Sequence, residues 1–310
     1  MTRIAFLFPG QGSQRVGMGR DFHDRFPEAR KVFERADRAL GFKISEVCFE
    51  GPEDILKLTE FTQPALLTVS YAAFAVLAVE PNLAAGHSLG EYSALVAAGS
   101  LGFEDALRLV HKRGQYMQEA VPAGVGAMAA VLGSSSADVE AAIRAAQRGI
   151  VEIANWNSDD QIVIAGHKEA VEEVVALLKG ARAVMLPVSA PFHTSLMKSA
   201  EEKLSRDLDA VEFRDLRFPV ITNVDARVVR RGEEARDALK RQVSRPVLWQ
   251  SGMMILRENG VGAAVEVGSG KVLIGLLKRL SRQWPSPPRL LHVEDGESLE
   301  KTREILSEVA

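Results

Sequence analysis

Ser88 stands at the centre of Gly86-His87-Ser88-Leu89-Gly90, a Gly-x-Ser-x-Gly spacing. A serine hydroxyl is a weak nucleophile, and this spacing suits one held out at a sharp turn between a strand and a helix. The flanks fit that context. Pro81 through Ala85 is a short, partly apolar strand end, and Glu91 through Ala98 is a good helix former. The two glycines let the backbone turn and let neighbouring elements approach. A glycine-rich turn without chemistry has the same spacing, so the strand and the helix carry the reading.

Such a serine needs a base within hydrogen-bond reach. Six histidines compete for that role. His87 adjoins the serine, and a sharp turn sends the two side chains apart, so it reads as structural. His23 and His292 lie in weakly marked stretches, and His167 reads as a cap or surface residue. His111 and Arg113 are about 200° apart around a helix, so only one of them can face a site. His193 stands out, because Ser189 through Thr194 lies where a small domain hands back to a large one, a cleft-forming place. A helix-start histidine with a local hydrogen bond is the competing reading.

In hydrolases with this elbow an Asp or Glu lies between Ser and His in the chain. Glu104, Asp105, Glu119 and Glu152 occupy that interval, and none sits in a convincing loop after a strand. A backbone carbonyl or an amide side chain is the other kind of orienter, a departure that argues against an ordinary lipase or esterase. Arg113, between Lys112 and Gly114, is either a solvated residue or a planar fork for a carboxylate on the acyl group.

The elements that position these residues alternate along the chain. Ile4–Phe8 is an apolar run typical of a strand covered on both faces, and it ends in the glycine-rich loop Pro9 to Gln14. That loop lacks the Gly-Lys-Ser/Thr ending of a phosphate-binding loop. A nearly all-apolar helix is expected from Thr62 to Val79, with Thr62 as N-cap and Pro64 in its first turn. Residues 124–189 read β-α-β-β-α-β, the ferredoxin-like order, with a hairpin turn at Ser158-Asp159-Asp160. Residues 1–123 and 190–310 form the larger unit, where strands alternating with helices imply an α/β fold with a mostly parallel sheet.

Composition narrows the partners. With 310 residues, 46% hydrophobic and a net charge of −3, the chain is globular and gives no reason to expect nucleic acid. Its single cysteine, Cys48, excludes an intrachain disulfide and reads as a buried small hydrophobe. No apolar run reaches membrane-spanning length, so a soluble, cytoplasmic protein without a membrane partner is expected.

Taken together, the motifs resemble the malonyl-CoA:acyl carrier protein transacylases, relatives of the acyltransferase domains of polyketide synthases. Phe8-Pro9-Gly10-Gln11-Gly12-Ser13-Gln14, Gly86 through Tyr92, Arg113-Gly114, Met117-Gln118 and Gly126 through Val131 carry the resemblance. Asn155-Trp156-Asn157-Ser158, Pro191-Phe192-His193, Gln242-Val243 and Pro246-Val247 complete it. It spans essentially the whole chain and implies an α/β-hydrolase-like large domain with an inserted ferredoxin-like small domain. It implies Ser88 as nucleophile, His193 as base, and Gln11 and Leu89 as backbone donors to the oxyanion. Arg113 would clamp the malonyl carboxylate, with Met117 and Phe192 beside the substrate, and a carbonyl near Gln242 would hold the histidine.

The implied reaction moves malonyl from malonyl-CoA to acyl carrier protein in fatty acid biosynthesis, with no cofactor and no metal, by a monomer. A serine esterase or thioesterase, or a trans-acting acyltransferase of a polyketide pathway, are the alternatives. One further reading concerns docking. Between Ala226 and Pro246 stand seven basic residues against three acidic ones, with Arg230 and Arg231 prominent, either a landing site for an acidic carrier or a solvated helix surface.

Overall fold

The computed structural model describes residues 2–122, 124–188 and 190–309. Among them ten strands follow one another. They are β1 (Arg3–Phe8), β2 (Leu83–Gly86), β3 (Gly126–Leu132), β4 (Val151–Ser158), β5 (Gln161–His167), β6 (Arg182–Met185), β7 (Val220–Ile221), β8 (Val228–Val229), β9 (Val261–Val267) and β10 (Arg289–Val293).

Six of them form one sheet in the order β10-β9-β1-β2-β7-β8. Its pairs are parallel except β7 with β8, so the sheet is mixed but mostly parallel. The apolar run of β1 now has its reason, since helices cover both faces. Ile4, Phe6 and Phe8 enter the core that holds the Thr59–Leu77 helix. Ala5 and Leu7, pointing the other way, pack with Trp249, Met253 and Leu273. The antiparallel β8 escaped the sequence reading because it is two residues long.

The other four strands form a separate antiparallel sheet in the order β4-β5-β3-β6. Ala127, Ala129 and Val131 of β3 pack on Val139, Val171 and Val174 from the two helices of this unit. Asp159 and Asp160 form the turn between β4 and β5. The expected junctions at Ala123 and Ser189 lie outside the described residues. The edge of this sheet is stitched to the larger unit where Trp156 N donates to Val247 O and Val247 N to Ala154 O, both at 2.9 Å. Among the described residues no helix is long and apolar enough to cross a membrane.

The helix expected from Thr62 starts three residues earlier, at Thr59, and Pro64 lies inside it. Thr62 is therefore not the N-cap. Its hydroxyl donates to Leu56 O at 2.6 Å and to Leu58 O at 3.1 Å. A proline at 64 cannot donate to the carbonyl four residues back, that of Glu60. His111 Nδ1 donates to Glu60 O instead, at 2.8 Å, which is why this helix tolerates an internal proline. His111 thus has a structural task, and the neighbouring Arg113 is the residue that turns inward.

Candidate active site

Ser88 follows β2 and precedes the Leu89–Ala97 helix, with backbone φ 52° and ψ −105°. A non-glycine residue at positive φ is strained by about 1–3 kcal/mol and persists only where its surroundings enforce it. The glycines show how. A Cβ on Gly90 would lie 2.0 Å from Phe8 O, one on Gly86 1.9 Å from the Gly90 carbonyl carbon, and one on Gly10 2.4 Å from His87 O. The helix therefore packs backbone to backbone on the strand ends. Asn223 locks the turn, accepting from Ser88 N at 2.6 Å and donating through Nδ2 to Gly86 O at 2.7 Å.

His193 reaches the serine from the loop before the Lys198–Asp209 helix, with Nε2 2.7 Å from Ser88 Oγ. Its Nδ1 donates to the carbonyl oxygen of Gln242 at 2.9 Å, which leaves Nε2 as the acceptor. Burial, aided by the positive charge of Arg113, pushes its pKa down to about 3, so the imidazole is neutral with Nε2 unprotonated. No acid orients it. Glu104 pairs with Arg35, Asp105 with Arg108, Glu119 with Lys203, and Glu152 accepts from Ser195.

Arg113 is 1% exposed, which settles it as an inward residue. Its NH1 donates to Gln63 Oε1 at 2.8 Å, and its NH2 to Ser88 Oγ and to Gln242 Oε1, both at 3.0 Å. The guanidinium also lies over the Tyr92 ring, with Cζ 5.5 Å from its centroid. Burial disfavours its charge, and no carboxylate among the described residues forms an ion pair with it.

These groups meet at a cavity of ≈ 110 Å³ bordered by Gln11, Ser88, Leu89, Arg113, Met117, Phe192 and His193. Met128, Asn155, Leu186 and Val188 close it from the four-stranded side. Ordinary small-molecule pockets measure roughly 300–1,000 Å³, so this one has room for a short acyl group. Leu89 is the first residue of its helix, where backbone N–H groups lack an intrahelical acceptor. A larger cleft, ≈ 680 Å³ along Trp156, Ser195 and Arg245, borders none of the reacting atoms.

His87, read from the sequence as structural, borders the same cavity. Its Nε2 is 2.9 Å from Asn157 Oδ1 and its ring lies against Trp249. Cys48 is buried. The basic stretch before Pro246 is largely self-neutralised, since Arg227, Arg231, Arg236, Lys240 and Arg241 all pair with nearby acids. Arg230 lines a cavity with Arg3 and Leu83, at the starts of strands whose opposite ends carry the site.

Asn223, Gln63 and Glu91 were given no role from the sequence. Asn223 carried a usable signal, because it directly follows the strand Val220–Ile221 and Thr222, where α/β sheets place their functional loops.

The family model described as the acyl transferase domain matches residues 5–299. The chain is 45% identical to the malonyl CoA-acyl carrier protein transacylase of Bacillus subtilis over 316 residues, covering 99% of this chain and 98% of that protein. It is 48% identical to the enzyme of the same description from Escherichia coli K12 over 288 residues, 90% of this chain and 93% of that one. It superposes with a TM-score of 0.94 and 43% identity on a malonyl-transacylase solved in complex with a holo type II polyketide acyl-carrier protein. That match covers 98% of this chain and 100% of the solved one.

Proposed function

The chain belongs to the acyl transferase domain family, and from that premise we propose that it transfers malonyl from malonyl-CoA to the phosphopantetheine thiol of acyl carrier protein, in fatty acid biosynthesis. The observation that carries the reading is Arg113, a buried guanidinium beside the nucleophile that forms no ion pair with a carboxylate among the described residues and faces a short acyl cavity. A malonyl carboxylate supplies the missing partner in the bidentate geometry that arginine favours.

Ser88 Oγ attacks the thioester carbonyl carbon while His193 Nε2 takes its proton. The carbonyl oxygen becomes an oxyanion held by the N–H groups of Gln11 and Leu89, each such donor being worth about 3 kcal/mol. Collapse breaks the carbon–sulfur bond, and His193 returns the proton to the departing CoA thiolate. In the second half the carrier thiol attacks the Ser88 ester, His193 takes the thiol proton, and Ser88 Oγ leaves with it. Kinetics of this kind are ping-pong. Met117 and Phe192 supply the apolar wall, and the Gln242 carbonyl fixes the histidine tautomer.

We read the larger unit as α/β-hydrolase-like and residues 124–189 as a ferredoxin-like insertion, supported by the strand orders and by the serine elbow. We read the protein as a cytoplasmic monomer; the one cysteine, buried and free, fits a reducing compartment.

Replacing Arg113 by Ala tests the carboxylate clamp. The Arg113→Ala variant should lose malonyl loading of Ser88 by a hundredfold or more, on the order of a lost buried charge partner. Acetyl loading should persist or rise. Retained malonyl loading would remove Arg113 from the role.

A further inference from the structure

Glu91 follows the second glycine of the elbow, and no step above uses it. Its side chain is fully buried. One oxygen, Oε2, accepts from Gln242 Nε2 at 2.7 Å and from the backbone N–H of Asn223 at 3.0 Å. The other, Oε1, has no partner among the described residues. A buried carboxyl is costly unless its bonds do something for the fold or the site.

Each of those two bonds is one link from the chemistry. The two hydrogens of Gln242 Nε2 go to Glu91 Oε2 and, at 3.0 Å, to Ser88 O. That leaves Gln242 Oε1 to face Arg113 NH2. A guanidinium only donates, so Arg113 is held only when the amide stands this way round. The backbone carbonyl of the same Gln242 holds His193. Asn223, the second donor to Glu91, is the residue that grips Ser88 N and Gly86 O.

We propose that Glu91 is the positioning residue of the site. Its Oε2 sets the direction of the Gln242 amide, and so sets Arg113 against the acyl cavity in register with the serine that Asn223 holds. The inference rests on the malonyl reading of Arg113. It assigns Glu91 no contact with substrate and no proton transfer.

The acceptor matters here, and the charge does not. Burial pushes the Glu91 carboxyl up to about 7; Asp225 pushes the same way, while Gln242, Asn223 and Arg113 oppose. A proton taken up has the unpartnered Oε1 to sit on, and Oε2 goes on accepting.

Two conservative variants separate reach from charge. Glu91→Gln keeps an acceptor at the same reach and removes the charge. Glu91→Asp keeps the charge and withdraws the acceptor by one methylene, about 1.5 Å. The readout is the ratio of Ser88 acylation by malonyl-CoA to that by acetyl-CoA, followed by intact mass, since only malonyl uses Arg113. A loss of fold or of general activity lowers both rates and leaves the ratio alone.

Glu91→Gln should keep the wild-type ratio within about threefold, and Glu91→Asp should lower it about tenfold or more, as sub-ångström to ångström misplacement does. An unchanged ratio in Glu91→Asp, or a collapsed ratio in Glu91→Gln, would overturn the positioning role. A wild-type chain that takes no malonyl on Ser88 would overturn the proposed function and this inference together. A loading wild type with an unmoved Glu91→Asp ratio overturns the inference alone.

Discussion

On the proposed mechanism His193 has to be unprotonated to accept the Ser88 proton, and its surroundings keep it so. Burial and the nearby Arg113 hold its pKa near 3, below that of a free imidazole. For a base whose folded pKa is depressed, the neutral form persists as pH falls until that value is approached. Acyl-enzyme formation from malonyl-CoA should therefore stay level, within about twofold, from pH 8 down to pH 5. An acid limb near 6.5 in single-turnover loading would show that His193 titrates as a free histidine.

The sequence displayed Ser88 through its spacing and His193 through its position in the chain. Arg113 was harder, because its neighbours Lys112 and Gly114 suggest a solvated turn. The phase of the helix held the answer. Ala106, Val110 and Met117 are buried on one stripe, and Arg113 falls three residues after Val110 and four before Met117. Gln63 and Glu91 stayed hidden because their tasks are hydrogen bonds between segments distant in sequence, which no local pattern records.

Among the elements, the Thr59–Leu77 helix shows how a local signal can be overridden. Proline in a first turn is the ordinary expectation. Here the Phe103–Glu119 helix crosses close enough for His111 to donate to the carbonyl that Pro64 leaves free, and Gly114 permits the approach, with an added Cβ falling 2.6 Å from Glu60 Cα. His111→Ala should lower unfolding free energy by about 1–3 kcal/mol through an unpaired carbonyl, with the Ser88 acylation ratio intact. Denaturant unfolding checks the first outcome; an unchanged midpoint would mean that Glu60 O finds another donor. The strands were legible wherever they were long and apolar or alternating. The stretch from Phe218 to Thr222 was legible as a short strand and holds β7, whereas β8, at two residues, carries too little pattern to be read.

On the scale of the whole molecule, the reactive atoms gather where the two sheets meet. The mostly parallel sheet ends β1 at Phe8 and β2 at Gly86, and Gln11 and Ser88 stand in the loops just after them, as in open α/β sheets. Met128 and Asn155 of the four-stranded sheet, with Leu186 and Val188 just after its last strand, lie over them and leave a cavity that suits a short acyl group. A serine elbow alone is equally suited to hydrolysis. On the proposed mechanism, the buried arginine, the carbonyl-held histidine and the narrow cavity turn it into a holding point for a second thiol. The intact mass of the chain after mixing with malonyl-CoA tests this most directly. One malonyl per chain is expected, absent in Ser88→Ala and discharged when holo carrier protein is added. Steady CoA release with no adduct and no need for the carrier would contradict it and mark the chain as a hydrolase.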